Sequence, residues 1–412
     1  MFKFIDQYRG LNRDIYILFV GRVIGALGTF IWPLLTLILK VKLGYTGKQI
    51  AIIMVLGFAT NLPAHYWGGR LTDRYGRKKI IVISNLLMVS CFYINAMIPI
   101  SILTVVLFFF SSFFGTVQGP AYDALLADKS TSDQRAKAYS LSYMGFNLGF
   151  ILGPAIGGFL LKDLLWLAFL VDGTTSLLGT VLIMFMIKDT KLSEIKHTLN
   201  AYEQTKDGES TLSIIFKSKT LWIYLACSSL VGLMYTQTNF LLPLQLEKTL
   251  PNYSEIYGFM YSLNGLVVIL ATPVLTYYLK RVNEVNKFGI AIFFFMSSFM
   301  VYAFLGSIIP LLFIGMIIFT IGEVINTIAN AAYFSRRVPA SHRGRISSTL
   351  GIISAVIGSI AQISFGFIVD LLPYQMAWLI IISLGFLALS LIPLFRRSDQ
   401  KNYHLLYMEQ TL

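Results

Sequence analysis

Four ionisable residues stand inside long apolar runs of this chain: Arg22, Asp123, Asp172 and Glu323. A charge in hydrocarbon is costly, so such residues are paired, functional or both. Glu323 is the most informative. Thirteen residues separate it from Arg336, about 20 Å of helix, which places it near the middle of a bilayer-crossing segment. Asn326, Thr327 and Asn330 follow at i+3, i+4 and i+7 and share its helix face. Burial penalises the ionised form of a lone carboxylate, and a bound proton or a cationic ligand would each relieve that cost. A carboxylate that takes one or the other, never both, is the simplest physical basis for exchanging them. A buried hydrogen-bond network between helices is the competing reading.

Arg22 lies about 13 Å into the first apolar run, counted from Arg13. Asp123 lies roughly 9 Å from the end of another run, counted from Lys129, just after Gly119 and Pro120. These two are expected to form an ion pair or a proton relay; the alternative for Asp123 is a helix-end acid exposed to water. Asp172 reads as structural.

The elements that position these residues follow from composition. Of 412 residues, 56% are hydrophobic and only 13% charged, half the charge of an ordinary soluble domain. Runs of about 20 apolar residues are long enough to cross a bilayer as helices. Twelve are expected, near 14–39, 49–67, 79–99, 101–127, 138–161, 164–187, 220–246, 256–279, 287–306, 308–335, 346–369 and 374–395. The predicted class is an all-α membrane protein. With the N-terminus placed in the cytoplasm, 27 of the 33 lysines and arginines fall on the inner side. That asymmetry assigns both termini to the cytoplasm and explains the net charge of +13 without a nucleic-acid partner. Cys91 and Cys227 both lie within apolar runs, which argues against a disulfide framework or a metal site.

The polar stretch 188–219 divides the spans six and six. Residues 133–162 align without gaps with 341–370, a faint internal duplication. The expected organisation is a six-helix bundle over 1–187, a cytoplasmic loop over 188–219, a second bundle over 220–395 and a cytoplasmic tail over 396–412. The two bundles are expected to be pseudo-symmetric.

Between the second and third spans stands "GGRLTDRYGRKKI", six formal charges in thirteen residues. Gly76 suits a tight turn with a backbone conformation other residues resist. Gly69 allows close helix approach. Arg74, Arg77 and Lys78 are expected at the anionic lipid surface, holding the loop inside. Topology explains the bases but not Asp73 among them. A second stretch, "GFILGPAIGG", places Gly149, Gly153, Pro154, Gly157 and Gly158 on the fifth span. Small residues four apart let helices pack closely, and Pro154 bends the span.

With these motifs the chain resembles the major facilitator transporters, across essentially its whole length. Gly69, Asp73, Arg74, Gly76, Arg77 and Lys78 match the family's loop signature. The resemblance implies that Asp73 helps to latch the two halves on the cytoplasmic side. The glycine pattern on the fifth span resembles the twelve-helix drug/proton antiporter branch, with Ser140 at a position where the family has glycine. That branch often carries R-x-x-Q-G in the fourth span. Here the sequence reads "GTVQG", so Gly115 stands in the arginine's place and Arg22 is the candidate to supply the missing charge from another helix.

In the family, helices 1, 4, 7 and 10 line the central path, helped by 2, 5, 8 and 11, while 3, 6, 9 and 12 are peripheral. The polar stripes then offer Thr29, Trp32, Tyr143, Asn147, Tyr235, Asn239, Asn326 and Asn330 as cavity residues, with Glu323, Asp123 and Arg22 coupling protons. Aromatic walls and an acid suit lipophilic cations. The expected activity is secondary active transport by alternating access, as proton-coupled efflux of amphiphilic compounds, by a multi-pass monomer in the cell membrane. A lipid or glycolipid flippase and a proton-coupled nutrient symporter remain the alternatives. No cofactor is expected beyond the proton gradient. Four scattered histidines and the lack of a phosphate-binding loop disfavour a membrane enzyme or an ATP-driven pump.

Overall fold

The computed structural model describes residues 8–130, 132–188, 218–279, 282–337, 343–404 and 407. The expected central loop and the end of the tail therefore lie largely outside the described residues. The apolar runs are helices: α1 Arg13–Leu27, α2 Ile31–Leu37, α3 Gly47–Tyr75, α4 Arg77–Met97, α5 Ile102–Asp128, α6 Ser132–Phe150, α7 Gly153–Leu160 and α8 Leu165–Met186. After the polar stretch come α9 Lys219–Thr249, α10 Tyr253–Tyr278, α11 Glu284–Leu305, α12 Ile309–Arg337, α13 Arg343–Leu371 and α14 Tyr374–Asn402. Among the described residues nine helices are long and apolar enough to cross a membrane, with a shorter apolar stretch at Val356–Leu371. All twelve expected spans coincide with helix.

Two spans are broken. The first divides into α1 and α2 at residues 28–30, then ends in a short π-helical turn, Ile38–Lys42. The fifth divides into α6 and α7 at residues 151–152, with Pro154 in the first turn of α7. Proline is well placed there, because that N–H has no partner within the helix. Pro120 sits inside α5 without ending it. Gly76 adopts φ of 94° and caps α4, so the polypeptide turns from α3 into α4 through this one residue.

Contacts divide the chain into two compact units. Unit 1 comprises Met1–Tyr45, Ile53–Lys196 and Leu250–Ile269; unit 2 comprises Thr46–Ile52, His197–Thr249 and Leu270–Leu412. The core of unit 1 gathers Ile15, Leu18, Ile81, Ala121, Leu125 and Ile183 from α1, α4, α5 and α8. Its glycine stripe brings backbones together. A Cβ on Gly149 would lie 2.6 Å from Ala26 Cβ, and one on Gly158 would run into the Ser254 carbonyl. The core of unit 2 is aromatic: Tyr224 and Tyr333 stack at 4.7 Å, with Phe288 and Phe395 around them.

Charged ends are pinned by ion pairs. Asn12 caps α1 by accepting the Asp14 N–H, and Asp14 pairs with Lys129 at 2.9 Å. Arg77 does not lie at a lipid surface as its loop position suggested. It is buried, with Nε 3.0 Å from Asp128 Oδ2 at the end of α5, an ion pair rather than an aligned hydrogen bond. An ion pair offsets part of the cost of taking a guanidinium out of solvent. Arg74 stays exposed beside the Tyr75 ring. The side chain of Asp73 and the surroundings of Gly69 lie outside what the structure describes.

In unit 2, Arg337 at the end of α12 is fully enclosed. Its Nε and Nη2 each donate to Asp399 at 2.8 Å, and Nη2 also reaches Glu284 at 3.1 Å. Burial alone would lower the Arg337 pKa; the hydrogen bonds and charge of Asp399, joined by Glu284, outweigh it and hold the pKa above its ordinary value. The Tyr407 hydroxyl donates to Asp399 as well, at 2.8 Å. Nothing in the sequence analysis anticipated this cluster. Its signal was two acids among basic segments, the same oddity that drew attention to Asp73.

Candidate functional site

Unit 1 contains a cavity of about 350 Å³. Its walls follow helical periodicity. Arg22, Ala26 and Thr29 face it from α1 at i, i+4 and i+7; Asn85, Met88 and Phe92 from α4 at i, i+3 and i+7. Phe108, Ser112 and Gly115 do so from α5, and Asp172, Ser176 and Gly179 from α8. Trp32 closes one side, stacked on Phe108 at 6.1 Å. Arg22, Thr29 and Trp32 match the expected wall; Asn85 and Ser176 are additions, from third and sixth spans that the family resemblance makes peripheral. A scan for buried amides, alongside charges, would have found Asn85. Its Oδ1 is buried without a hydrogen-bond partner.

Arg22 is held by aromatic rings. Its guanidinium lies 4.7 Å from the Tyr122 ring centre and 5.5 Å from that of Phe146. Tyr122 is fixed in turn, donating its hydroxyl to the Leu18 carbonyl at 2.7 Å. A mid-membrane arginine costs about 2.5–3.5 kcal/mol on insertion scales, and each desolvated cation–π contact returns about 0.5–2 kcal/mol. The two rings therefore offset much of the cost while leaving the charge unneutralised. No ion pair joins Arg22 to Asp123, and Arg22 Nε is buried without a hydrogen-bond partner. The reason is helical phase. Tyr122 faces Arg22, so its neighbour Asp123 points about 100° away, where it is exposed.

Asp172 is buried on α8 beside the break in the first span, where a Cβ on Gly28 would lie 2.8 Å from the Asp172 Cα. Gly115 faces the same cavity, where a Cβ would meet only Met88 Sδ at 3.4 Å. Ser112 exchanges hydrogen bonds with Asn61. On α6, Asn147 is buried and donates to the Tyr143 carbonyl at 2.9 Å, while Tyr143 itself is exposed.

The second group of expected residues meets in unit 2. Glu323 lies at the midpoint of α12, fourteen residues from either end. The Tyr235 hydroxyl of α9 donates to its Oε1 at 3.2 Å, and the Tyr235 ring stacks on Phe319 one turn earlier. Two turns later the Asn330 amide donates to the Asn326 carbonyl and side chain, at 3.1 and 3.2 Å. Tyr224 closes the ladder, donating to Asn330 Oδ1 at 2.8 Å. Asn239 stands one turn beyond Tyr235 on α9, partly buried. A carboxylate, two amides and two phenols are thus aligned on facing stripes of α9 and α12. This face therefore offers a ligand one carboxylate together with amide and hydroxyl hydrogen-bonding groups.

The sequence pattern described as Major Facilitator Superfamily matches residues 17–362, most of the chain. The chain belongs to this superfamily. Its membership makes it a multi-pass membrane protein of a transporter family. A Na(+), Li(+), K(+)/H(+) antiporter of Planococcus maritimus is 22% identical over 385 residues, covering 86% of this chain and 89% of the relative. Quinolone resistance protein NorA of Staphylococcus aureus is 31% identical over 185 residues, 44% of this chain and 47% of NorA. Among solved structures, a POT family transporter in complex with 5-aminolevulinic acid superimposes with a TM-score of 0.78 at 14% identity, covering 95% of this chain and 97% of that one. The nucleoside transporter NupG superimposes with a TM-score of 0.72 at 16% identity, covering 93% and 98%. At these identities the superpositions show the fold.

Proposed function

We propose that this superfamily member is a proton-coupled exporter of amphiphilic, cationic compounds, working as a monomer in the cell membrane by alternating access. The observation that carries the proposal is Glu323, set at the midpoint of α12 with the Tyr235 hydroxyl 3.2 Å away. A proton and a cationic ligand compete for this carboxylate, so loading one expels the other. The antiporter and drug-resistance relatives support the reading. The charge asymmetry of the sequence supports cytoplasmic termini. In this reading the halves 1–187 and 220–395 rock about the site, and Asp73 latches them on the cytoplasmic side. The Asp73→Asn variant should insert normally and transport poorly; normal transport by it would reject the latch.

A second reading is exchange of monovalent inorganic cations for protons, favoured by the Planococcus relative, whose match spans most of both chains. One experiment separates the two. Purified protein in liposomes, under an imposed proton gradient, is offered tetraphenylphosphonium, sodium or potassium. Gradient-driven movement of the lipophilic cation that is lost in Glu323→Gln supports drug-type antiport. Movement of sodium or potassium alone would establish the second reading. Uphill movement at wild-type rate in Glu323→Gln would remove the carboxylate from either mechanism.

A further inference from the structure

The proposed cation site does not use the cavity of unit 1, which Arg22 lines. Arg22 makes no ion pair there among the described residues, although the Asp123 charge acts on it, and its guanidinium stands over the Tyr122 and Phe146 rings. Asp172 lines the same cavity near the break in the first span, and Arg22 is the one cation among the described residues that line it. Beside it, Asn85 offers a buried oxygen with no donor. The opposite end is apolar and aromatic, made by Trp32, Phe92 and Phe108. Gly115 contributes space, where an arginine side chain would have filled the cavity.

We infer that this cavity binds an aromatic carboxylate, with its acid group on Arg22 and its rings among Trp32, Phe92 and Phe108. A planar guanidinium recognises a carboxylate through parallel hydrogen bonds. Among apolar walls such a pair is far less screened than in water. A volume of about 350 Å³ is at the small end for ligand pockets, and so suits one or two rings. A ligand hydroxyl or amine would satisfy Asn85. The inference rests on the transport reading only for its biological meaning: the exporter then accepts acid-bearing amphiphiles as well as cations. Binding itself needs no proton gradient.

The test is calorimetric titration of purified, detergent-solubilised protein with 1-naphthoate and with 1-naphthylmethylammonium. Wild type should bind the acid and discriminate against the amine. Arg22→Gln should weaken naphthoate binding by at least tenfold, and Gly115→Leu should abolish it by filling the cavity with the charge intact. Absence of naphthoate binding to wild type, or equal affinity in Arg22→Gln, would overturn the inference. If Arg22→Gln does not fold, Arg22→Lys and Gly115→Leu decide: weaker binding in both upholds the site, and unchanged binding in both overturns it. Naphthoate binding without proton-driven transport would sink the efflux reading and leave this site standing. Proton-driven transport of tetraphenylphosphonium without naphthoate binding would do the reverse.

Discussion

Arg337 in unit 2, which is buried, and Arg22 in unit 1, which is half-buried, are handled in opposite ways. Arg337 in unit 2 is enclosed by Asp399 and Glu284, with no exposed side-chain surface on itself or on Asp399. Arg22 in unit 1 has aromatic rings in place of carboxylates and faces a cavity. The first arrangement neutralises the charge and ties three helix ends together. The second preserves the charge and holds it in one orientation. A charge that the fold has neutralised serves the fold, whereas a charge kept unneutralised at a cavity wall is available to a ligand.

This contrast is open to measurement. The largest effect on stability is expected from Arg337→Leu, which strands two buried acids. Breaking such a cluster costs about 3–5 kcal/mol, and it should appear as poor expression and a much lower unfolding temperature in detergent. An unfolding temperature near wild type would show that the cluster contributes little, and the distinction between the two arginines would fail.

Arg22→Gln should be far milder. It forfeits two cation–π contacts, about 1–4 kcal/mol at most, but also removes the cost of a buried charge, so its unfolding temperature should stay close to wild type. Its deficit should appear in ligand binding instead. A collapse in stability equal to that of Arg337→Leu would make Arg22 a structural residue.

The smallest effect belongs to an exposed pair. Lys162, 40% exposed, lies 2.9 Å from Glu255 within unit 1. The Glu255 hydrogen bond raises the lysine pKa above its ordinary value, against the opposing effect of burial and with the aid of the Glu255 charge. A raised lysine pKa stabilises the folded state fully below the unfolded value, about 10.4, and that contribution disappears as pH rises through the higher folded value. Lys162→Met should therefore lower the unfolding temperature slightly at pH 8 and converge with wild type as the pH rises through the raised folded value of the lysine. A difference that grew with pH would have the wrong sign for this pair.

The linear order of residues carried much of this organisation. Twenty-residue apolar runs, punctuated by basic clusters, mark helices in hydrocarbon because the backbone there must satisfy its own hydrogen bonds. Glu323, Asn326 and Asn330 were legible as one face because their spacing is helical, and the structure sets that face against Tyr235 and Tyr224. The glycines of 149–158 were legible as close packing, though not the break at residues 151–152. The expected pairing of Arg22 with Asp123 did not form, since the phase of α5 turns Tyr122 toward the guanidinium.

Sequence alone thus determined the membrane as solvent, the number and place of the spans, the superfamily motifs and the face of α12 that carries an acid. These depend on periodicity and composition, which are local properties. Tertiary structure decided which charges meet. Arg77 with Asp128, Arg337 with Asp399 and Glu284, and Arg22 with two rings all join residues distant in the chain. Such partners are chosen by the rotation and packing of whole helices, where a turn of one residue, about 100°, exchanges one partner for another.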